Sequence, residues 1–518
     1  MTNIFLTIII ILCVSGYSIL GKKILLSKNN QRTLYNLDIF IGLFLISFAA
    51  IILNLIAPLK YFTIPLFLIG VFLFILNFKK LKFNFSILKL IILIIFFNLI
   101  ITINPLATDS HTYHLQIINW YNEYKVILGL SNIETRFAMN SSWHFLLGLF
   151  YFEFKETNTI YLLNIVPLIF LVNEVFCFKK LDLKNLSNKF LISCVFFILL
   201  FSLIHPVLNG PILNLLGSPE VDTVGMVLFI LCFYYFLKIF ENNNKDFFIY
   251  FFLILTLCIT AKLSYIISII LGFSVLIIYY KYYKLYLKAL LIYSTFVIFW
   301  ILHSYLNSGC LISLTKPLCV NTYWSLSPAT INNYIDVEVT SYVRSKNNPI
   351  NFQNEIYYLK SYQWVIPLIK NYFLKSAFFK IILFITTISF TYIAIISFIF
   401  KKKIDFNKEI NITLLILIPL FILLWSKAPE FRYVLGVLIS LSSFVFVLAL
   451  SFHENILTRY FKLINISILI IIISILFKNF DQIKEYPNRF TSSRTFDYKN
   501  FKYLYSVNNF KAYYPNPT

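Results

Sequence analysis

A polar stretch that begins at Asp109 is the first part of this sequence where side chains suited to chemistry lie close together. It carries His111, His114 and Arg136, and long apolar segments precede and follow it. A carboxylate just past the end of an apolar segment is partly desolvated, which raises its proton affinity and suits a general base. The alternative role is structural, because an acid or a neighbouring hydroxyl at this point caps a helix over about residues 111–124.

The predicted helix is amphipathic. With about 3.6 residues per turn, Asp109, Tyr113 and Trp120 fall on roughly one face. Trp120 and Tyr121 are typical of headgroup depth, so we expect the helix to lie at the membrane surface.

His111 and His114 are three residues apart on this helix. Together with Asp109 they offer the donor atoms that a divalent metal accepts. The alternative is a pair of interfacial polar residues. A divalent metal is therefore the one cofactor that the sequence leaves open, with these two histidines as candidate ligands.

Four further charged residues lie at the ends of later apolar segments. Glu220 and Asp222 begin one segment, where acids complement the helix dipole but are also functional candidates because ionisable groups are costly in a membrane. Lys262 and Arg432 have two interpretations as well. A basic side chain can anchor a helix end, and a guanidinium fork matches the oxygens of a phosphate.

The composition predicts an all-α, polytopic transmembrane bundle. The chain has 518 residues, of which 59% are hydrophobic and 13% charged, and its apolar runs show no strand-like alternation. Since a spanning helix needs roughly 20 apolar residues, about fourteen helices are expected. The net charge of +22 does not indicate nucleic-acid binding, because the lysines cluster between apolar segments, where they fix membrane orientation.

Assigning the basic loops to the cytoplasm gives one consistent topology. It places Asp109, Glu220, Asp222, Lys262 and Arg432 together on the outer face. The predicted regions are N-terminal transmembrane helices (1–85), a core (86–306) with a first outer loop (104–157), a long outer loop (307–375), C-terminal transmembrane helices (376–477) and an outer tail (478–518).

Cys310 and Cys319 are nine residues apart in the long outer loop, whereas the other five cysteines fall within apolar segments. In an oxidising compartment the two would form a disulfide that fixes the start of the loop. The alternative is two free thiols.

The arrangement of outer-face acids and a late outer arginine resembles the GT-C superfamily of multispanning glycosyltransferases, which use polyprenyl-phosphate-linked sugars. The sequence looks closer still to a bacterial family of GT-C-like membrane proteins, over about residues 85–440. The motifs that carry this likeness are Asp109 to His114, Arg136 to Trp143, Ser218 to Asp222, Lys262 to Ser264, and Ser308 to Cys310.

The resemblance implies a GT-C-like core and a role for each matched residue. Asp109 corresponds to the first-loop acid that serves as general base or assists a metal, and Glu220 or Asp222 to the second acidic position. Asp109 is followed by Ser110, where many members have a second acid, so metal dependence stays open. The implied binding residues for the lipid phosphate and substrates are Arg432, Lys262, Arg136, Tyr113, His114, Asn140 and Trp143.

The function expected from this resemblance is sugar transfer from a polyprenyl-phosphate donor to a glycan, lipid or protein acceptor of the cell envelope. The site would lie on the outer face of a bacterial cytoplasmic membrane, among membrane lipids. Two alternatives remain. One is a polysaccharide polymerase or ligase that uses a lipid-linked glycan, and the other is a flippase or transporter of lipids or oligosaccharides.

Overall fold

A computed structural model describes residues 2–26, 33–79, 81–103, 109–151, 153–154, 157–179, 185–204, 212, 216–242, 244–345, 364–370, 374–399, 408–451, 461–485, 501–507 and 510–515. These residues are predominantly helical, which confirms the all-α class. Each predicted apolar segment contains a helix. In chain order they are α1 (Thr2–Leu25), α2 (Ile39–Ile56), α3 (Lys60–Phe78), α4 (Ile87–Ile103), α5 (Val166–Cys177), α6 (Leu186–Ile204), α7 (Asp222–Glu241), α8 (Lys245–Ala261), α9 (Ile269–Ile278), α10 (Tyr283–Ser308), α11 (Ala377–Ile399), α12 (Lys408–Trp425), α13 (Leu435–Ser451) and α14 (Phe461–Lys478).

Eight helical segments in the described ranges are long and apolar enough to cross a membrane. A helix satisfies its own backbone hydrogen bonds, so it suits an environment without water. Five further apolar helices in the same described ranges have 10–17 residues and are shorter than the eight candidate spans. The eight segments are Thr2–Leu25, Asn36–Ile56, Lys60–Phe78, Ile160–Cys177, Leu186–Ile204, Asp222–Glu241, Leu290–Ser308 and Phe379–Ile396.

Short elements connect these helices. A π-helical turn, Ser110–His114, continues into a helix, Leu115–Glu123, and a further helix covers Ser142–Leu149. Strands Thr33–Leu34 and Lys82–Phe83 pair in parallel, whereas Glu153–Phe154 and Thr157–Asn158 form an antiparallel pair. In the C-terminal tail, Phe501–Val507 pairs antiparallel with Phe510–Pro515, and the latter strand lies beside the Ser110–His114 turn.

The helix ends sort into two groups. At one end of the bundle, Lys22 of α1 forms a buried ion pair with Asp38, which also accepts a hydrogen bond from the Tyr250 hydroxyl of α8. At the same end, Glu241 of α7 accepts hydrogen bonds from Ser187 of α6. The candidate charged residues lie at the opposite end. This sorting agrees with the up-and-down threading that the basic loops predict.

The aromatic side chains that we expected at headgroup depth are instead packed against protein. Trp120 is 9% exposed and Tyr121 only 2%, with the Tyr121 ring stacked on Phe145 at 4.1 Å. Asn54 of α2 donates to the carbonyl oxygen of Tyr121, and Asn122 donates to that of Gly148. These contacts join the helix to neighbouring segments, and its aromatic face therefore packs against protein.

The described start of the long loop forms a small unit on the same end as the charged residues. Cys310 and Cys319 are joined by a disulfide. Leu314 and Ile331 are buried in a small apolar cluster that includes Ala138 of the first polar stretch. The two loops therefore pack on each other. Residues 346–363 of the predicted loop lie outside the described ranges.

Candidate active site

Four separated parts of the chain bring five charged side chains to one end of the bundle. Asp109 directly precedes the Ser110–His114 turn, and Glu220 and Asp222 lie at the start of α7. Lys262 follows the last residue of α8, and Arg432 lies in a short turn before α13. The sequence predicted that these residues share a face, and the structure places them in contact.

Arg432 stands between two carboxylates. Its Nη1 donates to Oδ2 of Asp109 at 2.7 Å and lies 3.8 Å from Oε2 of Glu220. The side chains of Arg432 and Asp109 are 31% and 29% exposed, whereas that of Glu220 is 0% exposed. Asp109 makes no side-chain capping hydrogen bond. Asp109 therefore occupies the N-cap position, as one alternative predicted, but its carboxylate contacts Arg432 and does not form the capping hydrogen bond.

Lys262 forms the second ion pair of the cluster. Its ammonium group contacts Oδ1 of Asp222 and donates to the backbone carbonyl of Arg432 at 3.2 Å. The ring of Tyr433 lies 5.3 Å from the Lys262 nitrogen and 5.4 Å from the Arg432 guanidinium carbon. An aromatic face attracts nearby cations. Tyr433 thus keeps the two cations on one side of the site, a role that no sequence pattern indicated.

A close helix contact fixes the position of Arg432. The amide of Gly436 in α13 donates to the Tyr265 hydroxyl at 3.0 Å. An added Cβ at Gly436 would meet the Met226 backbone of α7 at 3.0 Å, and one at Gly225 would meet the Tyr265 ring at 2.6 Å. Gly436 is needed because α7 and α13 approach too closely for a side chain, and Gly225 is needed because the Tyr265 ring packs directly against α7. These two glycines, just inside two helix starts, were the available sequence signal for the close packing.

Burial and neighbouring charges set the ionisation of the cluster. Burial, reinforced by the Asp222 carboxylate, raises the pKa of Glu220 to about 8 although Arg432 opposes this. Burial lowers the pKa of Lys262, with Asp222 opposing. Burial also disfavours the charge of Arg432, but Asp222, Tyr433 and Asp109 outweigh it and raise its pKa. Arg432 therefore stays charged, whereas Glu220 is mainly protonated at pH 7.

Glu220 and Asp222 differ in their partners. Asp222 is paired with Lys262, whereas neither carboxylate oxygen of Glu220 has a hydrogen-bond partner within the described part of the chain. Nε of Arg432 likewise has none there. Buried polar groups are usually satisfied, so these atoms are candidates for contact with a bound substrate.

Two of the predicted substrate-binding residues have structural partners. Trp143 donates through its indole nitrogen to Asn164, which donates in turn to the backbone carbonyls of Ser218 and Glu220. Asn140 exchanges hydrogen bonds with Trp300. Trp143 therefore positions the segment that carries Glu220, and Asn140 joins the first polar stretch to α10.

Tyr113 and Arg136 lie beside the charged cluster. The guanidinium carbon of Arg136 stands 5.2 Å above the Tyr113 ring, and its Nε donates to Glu134 at 2.9 Å. Burial raises the pKa of Tyr113 well above its usual value, and the nearby Asp109 charge adds to this. Tyr334 of the long loop lies near enough to raise the pKa of both Tyr113 and Arg136 through its charge. The long loop therefore approaches the site at Tyr334.

The histidines form a buried pair. Nδ1 of His114 lies 3.0 Å from Nε2 of His144. Burial lowers the pKa of His114 well below its usual value and that of His144 to about 3, so both are neutral at pH 7. Within the described residues, no group of three or more His, Cys, Asp or Glu side chains is arranged to hold a metal. The side chain of His111, the other candidate ligand, lies outside the described residues.

The fold and site define an all-α protein with apolar helices and a cluster of three carboxylates and two cations at one end. Residues 1–439 match the family described as Domain of unknown function (DUF8201). This match covers most of the chain, so the protein belongs to that family. No curated protein and no solved structure matches the sequence.

Proposed function

We propose that the protein is an integral membrane glycosyltransferase of GT-C type that uses a polyprenyl-phosphate-linked sugar. The observation that carries this proposal is the convergence of Arg432 and Lys262 with Asp109 and Glu220 at one end of apolar helices. Cations beside a candidate base suit a reaction in which a phosphate departs while a hydroxyl loses its proton.

The reaction assigns a task to each group. The acceptor hydroxyl oxygen bonds to the anomeric carbon of the donor sugar, and its proton passes to the Asp109 carboxylate. The bond from the anomeric carbon to the phosphate oxygen breaks, and its electron pair leaves with the polyprenyl phosphate. The phosphate gains a second negative charge in this step, which Arg432 and Lys262 stabilise. Held together in one site, the two reactants avoid the entropy cost of meeting in solution.

The orientation in the membrane follows from the basic loops. Their assignment to the cytoplasm puts the charged cluster on the outer face of a bacterial cytoplasmic membrane. A disulfide between Cys310 and Cys319 fits an oxidising outer compartment. The loop that carries Tyr334 would then cover the site and select a glycan, lipid or protein acceptor of the cell envelope.

The test is a transfer assay with the purified full-length protein in lipid nanodiscs. The probes are undecaprenyl phosphates that carry radiolabelled glucose, galactose or mannose, each incubated with a cell-envelope fraction. We expect labelled envelope product and released undecaprenyl phosphate from at least one donor. Because Asp109 is the proposed base, Asp109→Asn should lower the rate by about 10²–10⁴-fold.

Glu123→Gln is the matched control. Glu123 lies at the other end of the same helix, pairs with Lys60 at 2.5 Å and is 39% exposed. Loss of the Glu123 charge should leave the rate of sugar transfer unchanged. The proposal is wrong if no donor yields product with the wild type, or if Asp109→Asn transfers sugar at the wild-type rate.

A further inference from the structure

The contact between Asp109 and Arg432 poses a chemical problem for the proposed function. The carboxylate that should accept a proton instead accepts a hydrogen bond from the Arg432 guanidinium at 2.7 Å. An oxygen that accepts this hydrogen bond is occupied and does not take the proton of an acceptor hydroxyl. The same contact occupies a nitrogen of the arginine that should bind phosphate. This one contact therefore occupies both the candidate base and the candidate phosphate-binding group.

Around this ion pair lie buried polar atoms that have no hydrogen-bond partner among the described residues. Nε of Arg432 is buried with no acceptor among the described residues, and the two Glu220 oxygens are buried with no donor there. Arg432 and Asp109 are themselves part-exposed, so an incoming group can reach them. A phosphate offers several acceptor oxygens, which match the unused donor of Arg432 and the proton of a neutral Glu220.

We propose that the phosphate of the lipid-linked donor displaces Asp109 from Arg432, so that binding of the donor releases the base for catalysis. This inference rests on the proposed function. The phosphate takes the guanidinium, a protonated Glu220 donates a hydrogen bond to a phosphate oxygen, and Asp109 turns to the acceptor hydroxyl.

At Arg432 this exchange replaces one negative charge with another. With Glu220 neutral, Asp109 and Asp222 balance Arg432 and Lys262, so the resting cluster has no net charge. A phosphodiester that replaces Asp109 at Arg432 brings one negative charge to the position that another has just left. The Lys262–Asp222 pair is only 10% and 7% exposed and stays in place. The exchange thus needs movement of one part-exposed carboxylate and not of the buried pair.

The test measures the affinity of the purified full-length protein in nanodiscs for dodecyl phosphate by titration calorimetry. Removal of the competing carboxylate in Asp109→Asn should tighten binding by about two- to fivefold, the range expected for loss of a part-exposed ion pair. Asp109→Ser serves as a second variant with a different side-chain size and should do the same. Glu123→Gln should bind as the wild type does, and Arg432→Gln should bind about fivefold more weakly or worse.

Inorganic phosphate and dodecyl maltoside are titrated into the same proteins as two control ligands. If inorganic phosphate binds as tightly as dodecyl phosphate, the lipid-linked donor is not the displacing ligand. If dodecyl maltoside shows the same tightening in the Asp109 variants, the alkyl chain and not the phosphate causes the effect, and the inference is wrong.

The transfer assay separates this inference from the proposed function. Wild-type or weaker affinity for dodecyl phosphate in both Asp109 variants overturns the exchange, even if the wild type transfers sugar. Tighter binding in both variants, combined with no sugar transfer by the wild type, supports the exchange and overturns the glycosyltransferase. Tighter binding together with loss of transfer in the same variants supports both.

Discussion

Glu220 should make phosphate binding sensitive to pH. The carboxyl is faced by Asp109, by Asp222 of its own segment, and by Lys262 and Arg432 from two other elements. With its pKa raised to about 8, the protonated fraction falls from about nine-tenths at pH 7 to about one-tenth at pH 9. Only the protonated form donates to a phosphate oxygen, and the ionised form repels it. Binding is therefore strong below the raised pKa and is lost as the pH rises through it.

The expected magnitude is a loss of about tenfold in affinity for dodecyl phosphate between pH 7 and pH 9, since affinity follows the protonated fraction. The assay is the calorimetric titration repeated across this range. Glu220→Gln keeps a neutral hydrogen-bond donor of similar shape and should remove most of the decline. Burial lowers the pKa of Lys262, and the Glu220 carboxylate opposes this. The difference between the two profiles therefore reports Glu220 together with its electrostatic effect on Lys262.

Asp336→Asn is the control for loss of a carboxylate elsewhere, because Asp336 forms an exposed pair with Lys316 at 2.9 Å. It should keep the wild-type profile. Two results would refute the reasoning: wild-type affinity that is equal or higher at pH 9, or a Glu220→Gln profile that declines as steeply as that of the wild type.

Two other predictions concern the framework and the orientation. Gly436→Ala forces a methyl group to within 3.0–3.1 Å of the α7 backbone, and overpacking of this kind costs about 1–3 kcal/mol, so the melting temperature and sugar transfer should both fall. Gly148→Ala is the control, because the nearest neighbour of the added methyl is a flexible leucine methyl at 3.3 Å. It should melt within a degree or two of the wild type, about the effect of a few tenths of a kcal/mol. Equal losses of melting temperature in the two variants would contradict the close-approach argument. For orientation, a cysteine in place of Tyr323, which is 90% exposed at the charged end, should react with an impermeant maleimide added to intact cells. A cysteine in place of the exposed Lys79 should react only after the membrane is opened, and the reverse pattern would invert the topology and place the site in the cytoplasm.

The sequence was informative about helices because apolar periodicity and basic loops act locally. Each predicted apolar segment contains a helix, and the predicted sharing of one end by Asp109 and Arg432 agrees with their contact. The sequence did not indicate which side chains contact each other, because such contacts join distant parts of the chain. Asp109 and Arg432 are 323 residues apart, and no local pattern distinguishes a carboxylate that caps a helix from one that contacts a distant guanidinium.

The mistaken surface position of Trp120 and Tyr121 has a related cause. Aromatic residues on an amphipathic helix suit both a lipid headgroup region and a protein interior, and hydropathy does not separate the two. The structure decides between them through Asn54 and Asn122, whose amides bond to backbone carbonyls of neighbouring segments. The hydrogen bond from Trp143 to Asn164 was equally inaccessible, since Asn164 lies within an otherwise apolar segment.

The order in which the charged residues occur along the chain has a consequence for biosynthesis. Glu220, Asp222 and Lys262 emerge from the ribosome within one helical hairpin, so that the buried Lys262–Asp222 pair can form as soon as α7 and α8 pack together. Arg432 follows 170 residues later. Until it arrives, Asp109 lacks the guanidinium that it contacts in the folded protein. A chain that ends before α13 therefore has the Lys262–Asp222 pair but not the Asp109–Arg432 pair.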